Sequence, residues 1–307
     1  MTIHDYGDYS EETRAVYHKQ HLRIAKDKRA MKRFIGMFSN EYFGLSHDYF
    51  KGRKILDAGC GDTAKVMIGL YKLGARDIHG IDLGEEFIPV AESSLKTNGV
   101  PLDLINLKTA SVLEIPYEDN HFDFVVCHGV LLHLNNIDEV EIAFSELARV
   151  TKPGGYLYTV YGIVGGLFED AIIPAIRKYY TKDHRFKNFI DNVSPEDFAQ
   201  VFDTIMKGIN HYQGETIDLE FLKTLLDVDF CVFLQNLIQA PVRLPISENL
   251  IRDLYSKNGI KNLRRLKRYV KRENIRKFVA PLHYDIEHPI SKLLYGSGNL
   301  EFIGEKG

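Results

Sequence analysis

Two carboxylates and a pair of glycines are the first residues whose types and spacing suggest chemistry. Asp57 stands two residues ahead of Gly59-x-Gly61 in the run KILDAGCGDTA (54–64), and Asp82 closes a second apolar run 25 residues later. Lys54–Asp57 reads as a buried strand running into a glycine turn. Glycines carry no Cβ, so a ligand can lie directly against the backbone there. In an open α/β sheet, ligands bind beyond the carboxyl ends of the strands, where such a turn would sit.

Gly59-x-Gly61-x-x-Ala64 fits a loose dinucleotide fingerprint, but Asp57 conflicts with it. A pyrophosphate on this turn would face the carboxylate at a few ångströms, a repulsion of about 4 kcal/mol at an effective dielectric of about 20. S-adenosylmethionine has an ammonium and a sulfonium and no phosphate, which turns the same carboxylate into an attraction. Asp82 suits the two hydroxyls of a ribose, a feature that both ligands share. Its plain structural alternative is to cap the helix that starts near Glu85-Glu86-Phe87.

The elements that must position these residues alternate. Strands are expected at Lys54–Asp57, Asp77–Asp82, Leu104–Thr109, Phe122–His128 and Gly155–Tyr161, and helices at Ala64–Leu73, Glu86–Thr97 and Asp138–Val150. Strands alternating with helices predict a parallel sheet covered on both faces. Runs such as Phe124-Val125-Val126 suit strands buried on both sides. Residues 11–40 have apolar positions at helical spacing among many Lys and Arg, which predicts an N-terminal helical segment. After Tyr161 the alternation stops, and residues 162 to 245 read as helical and rich in aromatics, among them Tyr179, Tyr180, Phe186 and Phe233. A helix at Ser247–Lys257 and strands at Asn262–Val270 and Asn299–Gly304 then return to the α/β pattern.

The chain has 307 residues, 45% hydrophobic and 26% charged, with a net charge of −3, so it is ordinary for a globular protein and not basic overall. Cys60, Cys127 and Cys231 form no CxxC pair and read as reduced thiols of a cytoplasmic protein. The opening residues MTIHDYGDYSEE hold no apolar run, and no apolar segment approaches 18 residues, so neither a signal peptide nor a membrane span is expected.

Four motifs occur together: ILDAGCGDT (55–63), GIDLGEEFI (80–88), SVLEIPYEDNHFDFVVCHGVLLHL (111–134) and LARVTKPGGYLYTV (147–160). In order and rough spacing they resemble the class I S-adenosylmethionine-dependent methyltransferases, in particular the small-molecule branch. The resemblance covers residues 53 to 161, with Thr63 where the family usually has a third glycine and Ser111 where it usually has an acidic residue. It implies a Rossmann-like, doubly wound α/β sheet of seven strands, the last antiparallel, with a helical insertion after the fifth strand. The division that follows is an N-terminal helical cap (1–50), a cofactor-binding core (51–161), a helical insertion or lid (162–245) and the C-terminal part of the sheet (246–307), with a short excursion at 271–298.

Carried over position by position, the resemblance implies that Asp57, Gly59 and Gly61 hold the methionine end of the cofactor and Asp82 the ribose. Leu83 would lie on one adenine face, and Ser111 and Val112 would border the adenine edge. Cys127 and His128, ending the fourth strand, would face the sulfonium and the acceptor. Methyl transfer needs a base only when the acceptor keeps its proton, and His128 and His133 are the candidates. Tyr9, Tyr17, Tyr158 and Tyr161 are candidate site-lining aromatics. The expected acceptor is a small molecule, anionic or partly apolar, with the insertion also a candidate homodimer face. RNA as the acceptor, prompted by the basic runs 18–34 and 260–278, and a non-catalytic cofactor-binding protein are the alternatives. The cluster His283, Asp285, Glu287 and His288 reads as a solvated loop rather than a metal site, so no metal is expected.

Overall fold

In the computed structural model, residues 8–213, 228–266 and 288–307 are described. Seven strands make one sheet: β1 (Lys54–Ala58), β2 (Asp77–Asp82), β3 (Ile105–Thr109), β4 (Phe122–His128), β5 (Thr151–Ile163), β6 (Ile260–Arg265) and β7 (Asn299–Lys306). Their order is β3-β2-β1-β4-β5-β7-β6. The first five strands pair in parallel, and β7 runs antiparallel between β5 and β6. The strand order reverses between β1 and β4, and this switch point opens a crevice at the carboxyl ends.

The two faces of the sheet follow from the period-2 alternation of side chains. Ile55, Ile78, Phe124 and Val126 join one apolar cluster with Met67, Ala91 and Leu95. Their neighbours Leu56, Ile81, Val125 and Cys127 join another with Phe144, Leu147 and Tyr255. The helices that cover these faces are α4 (Lys65–Lys72), α5 (Phe87–Thr97), α6 (Ile137–Val150) and the later helix Glu248–Lys257. Asn136 caps α6 by accepting from the Glu139 amide at 2.9 Å.

The N-terminal helical segment is α1 (Ser10–Lys26), α2 (Lys28–Ile35) and a single turn α3 (Asn40–Phe43). Asp27 breaks α1 from α2, because its carboxylate accepts from the amides of Arg29 (2.9 Å) and Ala30 (3.0 Å) and so starts a new helix. Between β5 and β6 the described chain is helical, with a π turn at Phe168–Ile172 and helices Ile173–Lys182, His184–Asn192, Pro195–Gln213, Val228–Gln239 and Glu248–Lys257.

Two strand boundaries differ from expectation. β5 begins at Thr151 rather than Gly155, since Thr151 already pairs with Phe122 before a register shift. β6 spans Ile260–Arg265 rather than Asn262–Val270, pairing from Ile260↔Lys306 to Arg265↔Phe302. His283, Asp285, Glu287 and most of the 271–298 excursion lie outside the described residues. Within them, no helix is long and apolar enough to cross a membrane.

Candidate functional site

A cavity of about 880 Å³ lies at the carboxyl ends of β1, β2, β4 and β5. Its floor is the glycine turn after β1. Gly59 has φ +85°, and a Cβ there would stand 2.2 Å from Val130 Cγ2. Gly61 has φ +61°, and a Cβ there would come within 2.9 Å of the His21 ring. Both positions therefore need glycine for their backbone conformation and for close packing, whatever ligand the turn receives.

Asp82 anchors the turn: Oδ2 accepts from the Gly61 amide at 2.7 Å and Oδ1 from the Leu83 amide at 2.8 Å. Burial raises its pKa to about 6, against the lowering effect of those amides. Two amide contacts leave a carboxylate further lone pairs for a ligand. Leu83 lines the same wall with 40% of its surface exposed, an apolar side chain available for a flat ring. Ser111 and Val112 line the cavity too, with Ser111 Oγ accepting from the Leu113 amide at 3.1 Å.

Asp57 and Cys127 are placed differently from the other cofactor candidates. Both are fully buried and absent from the cavity lining. Asp57 lies beneath the turn, and among the described residues neither carboxylate oxygen has a hydrogen-bond partner. Burial first, then the Asp82 charge, raises its pKa to about 8. Burial likewise pushes the Cys127 thiol up, so it carries no thiolate at neutral pH.

His128 and His133 both reach the wall. His128 ends β4 opposite Val160, with its ring edge-on to Phe34 at 5.3 Å. His133 has both nitrogens engaged. The Val242 carbonyl accepts at 2.8 Å from Nδ1, which must therefore carry the proton, and the Tyr17 hydroxyl donates to Nε2 at 2.6 Å. Burial, then the nearby Arg243 and Arg177, lowers the His133 pKa to about 3. An imidazolium is disfavoured there, so His133 is better suited to aim Tyr17 than to store a proton. Tyr161 lines the cavity, whereas the Tyr158 hydroxyl donates to the buried Glu301 at 3.0 Å, outside it. The Tyr9 amide donates to Asn135 Oδ1 at 3.0 Å.

Sequence reasoning named Tyr17 but missed its neighbours on the α1 face. Arg14, His18 and His21 line the cavity with Tyr17, at the i, i+3, i+4, i+7 spacing of one helical face. Arg14 pairs with Glu86 at 3.0 Å, and His18 Nδ1 lies 3.0 Å from Asp62 Oδ2, so α1 is tied to the turns after β1 and β2. The signal was present as a polar helical stripe, but a polar stripe ordinarily means solvent. Arg243, beside the end of β5, was also missed, since nothing near it in sequence marks a site.

Residues 56–159 match a family described as a methyltransferase domain. This stretch is a methyltransferase domain. Methyltransferase GfsG of Streptomyces halstedii is 27% identical over 146 residues, covering 47% of this chain and 51% of that protein. A demethylmenaquinone methyltransferase of Geobacillus stearothermophilus is 34% identical over 107 residues, covering 34% and 43%. The chain thus spans about half or less of the length of these relatives. A solved S-adenosylmethionine-dependent methyltransferase of Methanosarcina mazei aligns over 88% of this chain and 97% of that one, with 20% identity and a TM-score of 0.46.

A methyltransferase domain of this class uses S-adenosylmethionine as cofactor, and the residues present fit that group. The buried, unpartnered Asp57 carboxyl and the Asp82 carboxylate give the glycine turn an acidic surrounding that favours a cation. Thr13 adds a buried, unpartnered hydroxyl on a residue of the cavity wall.

Proposed function

We propose that the protein is an S-adenosylmethionine-dependent methyltransferase acting on a small-molecule acceptor. The observation that carries this reading is the continuity of one cavity from Asp82 and the glycine turn to His128, Tyr17 and Arg243. The same space can therefore hold a cofactor and an acceptor end to end. The named relatives, a demethylmenaquinone methyltransferase among them, support a small-molecule acceptor.

On this reading Gly59 and Gly61 admit the methionine end, with Asp57 acting across the turn from below. Asp82 takes the ribose, Leu83 one adenine face, and Ser111 and Val112 the adenine edge. The cofactor, when bound, supplies a methyl group activated by its sulfonium. The chain supplies position, which in favourable cases accounts for several kcal/mol of the barrier. Tyr17, oriented by His133, holds the acceptor, and His128 receives a proton when the acceptor reacts from a protonated form.

In their described parts the basic runs offer RNA less than their composition suggests. Arg23 donates to Gln235 Oε1 (2.6 Å) and the Val193 carbonyl (2.9 Å), Arg264 to the Phe43 carbonyl (2.7 Å), and Arg265 to Glu248 (2.6 Å). These cations are used inside the fold.

The deciding experiment is calorimetry with S-adenosylmethionine, S-adenosylhomocysteine and NAD, followed by transfer of a labelled methyl group into metabolite pools and into RNA. Binding of both adenosyl compounds but not NAD, with label appearing in a small molecule, is expected. NAD binding alone, or label only in RNA, refutes the reading.

A further inference from the structure

At the acceptor end of the cavity, Arg243 is held in an incomplete ion pair. Its side chain is only 14% exposed, and the opposing Glu169 carboxylate 12%. The pair is made through one nitrogen: Nη2 lies 3.2 Å from each Glu169 oxygen. A guanidinium has five N–H donors in a planar fork. Among the described residues, Nε and Nη1 make no hydrogen bond, although Arg243 lines the cavity wall. The guanidinium packs flush with the end of β5, because a Cβ on Gly162 would stand 3.3 Å from Nη2.

Among the described residues the surrounding charge does not balance. Arg177, the second guanidinium nearby, donates to the carbonyls of Leu237 (3.1 Å), Ala240 (2.6 Å) and Pro241 (3.1 Å), which fixes the chain leading to Arg243. Two arginines thus face one buried carboxylate, Glu169, with Asp170 on the solvent side. Tyr17 and His133, the other titratable groups of the cluster, are held neutral by burial. A buried cation with unused donors is costly unless something pairs with it. Nearby walls are apolar, with Phe168, Phe233, Leu234 and Leu237, while Asn236 Oδ1 is buried with no hydrogen-bond partner among the described residues.

We infer that the acceptor carries an oxyanion, a carboxylate or a phosphate, which Arg243 binds through its unused nitrogens. The acceptor's apolar body lies on Phe168, Phe233 and Leu237, and a hydroxyl or amino group on it donates to Asn236. This inference rests on the methyl-transfer reading and specifies its substrate class: a small, amphipathic acid. Glu169 tunes the site by holding the guanidinium in place while sharing its charge.

The test uses the full chain saturated with S-adenosylhomocysteine, titrated calorimetrically with 4-hydroxyphenylacetate, phenyl phosphate and the neutral 4-hydroxyphenylacetamide. At least one acid should bind about tenfold or more tighter than the amide, as a charge-assisted hydrogen bond implies. The preferred acid distinguishes carboxylate from phosphate. Arg243→Gln should abolish the preference while leaving S-adenosylhomocysteine affinity unchanged. Glu169→Gln, which keeps Arg243 and releases it from its competitor, should strengthen acid binding without affecting the amide. Equal responses to all three probes, including no response to any, overturn the inference. So does a preference that survives Arg243→Gln, or, if that variant does not fold, one that Glu169→Gln fails to strengthen. A wild type that binds no adenosyl compound refutes the methyl-transfer reading separately, and the acid-over-amide preference measured without it still decides the role of Arg243.

Discussion

The Tyr17 hydroxyl donates to His133 Nε2 at 2.6 Å, joining α1 to the turn after β4 across 116 residues of chain. The bond has a fixed polarity, because the Val242 carbonyl claims the Nδ1 proton. Burial raises the Tyr17 pKa as it lowers that of His133, so both partners stay neutral and the phenol remains the donor. On the proposed reading, α1 thereby contributes to the acceptor end of the cavity as well as to its cofactor floor.

This polarity predicts how the pair responds to mutation. Tyr17→Phe and His133→Asn should each lower turnover, and the double variant should be little worse than the more damaging single one, since the two act as a unit. With a His133 pKa of about 3, the pH–rate profile between pH 5 and 9 should keep its shape in His133→Asn. An acidic limb that disappears in that variant would make His133 the base and sink the positioning role.

His128 makes the opposite prediction. If it takes the acceptor proton, His128→Asn should lower turnover about 100-fold or more, with cofactor affinity nearly constant. Turnover within a factor of about two of wild type would remove it from proton transfer, and the acceptor would then have to enter already deprotonated.

Asp82 has a double role, which its variant should expose. Asp82→Ala removes the group that holds the Gly61 and Leu83 amides and, on the proposed reading, the ribose. Cofactor affinity should fall by about 1.5–3 kcal/mol, the range for hydrogen bonds to a charged group. Calorimetry on a variant shown by circular dichroism to be folded is the check, and an unchanged affinity would restrict Asp82 to shaping the turn.

The part of the cavity that the proposed reading gives to the cofactor was legible because its requirements are local. Asp57, Gly59, Gly61 and Asp82 stand at strand ends, where short continuous apolar runs and glycines mark the chain directly. Sequence could not distinguish a carboxylate on the wall from one beneath it, so Asp57 and Asp82 read alike although only Asp82 lines the cavity. The part given to the acceptor is assembled from distant segments. Tyr17, His133, Glu169 and Arg243 meet only after α1 and the helices between β5 and β6 fold onto the strand ends. Tyr17 and His133 were named from the sequence one at a time, but nothing there joined them, and a lone Glu or Arg such as Glu169 or Arg243 carries no spacing signal. The antiparallel β7 was expected from family resemblance; its own sequence gives no direction.

The buried Asp57 carboxyl should make the stability of the ligand-free protein depend on pH in a window that few other groups share. Its pKa rises from 3.8 unfolded to about 8 folded, so the folded state binds the extra proton between those values, and stability is lost as pH rises through about 8. Asp82 behaves in the same way but stops near its folded pKa of about 6. His21 and His133, lowered from 6.5 to about 3, act in the opposite direction: the unfolded state gains their protons below 6.5, so stability falls as pH drops from there. Below pH 6.5 these effects oppose one another. From pH 6.5 to 8 the Asp57 effect stands largely alone, and the melting temperature of the wild type should decline across that interval. Asp57→Asn cannot ionise and should flatten the decline, whatever its absolute stability. A cationic cofactor favours the ionised carboxylate, so S-adenosylmethionine affinity should rise over the same interval, with proton release seen by calorimetry in buffers of different ionisation enthalpy. A flat wild-type profile from pH 6.5 to 8, or a decline that persists in Asp57→Asn, would show that Asp57 does not hold this proton.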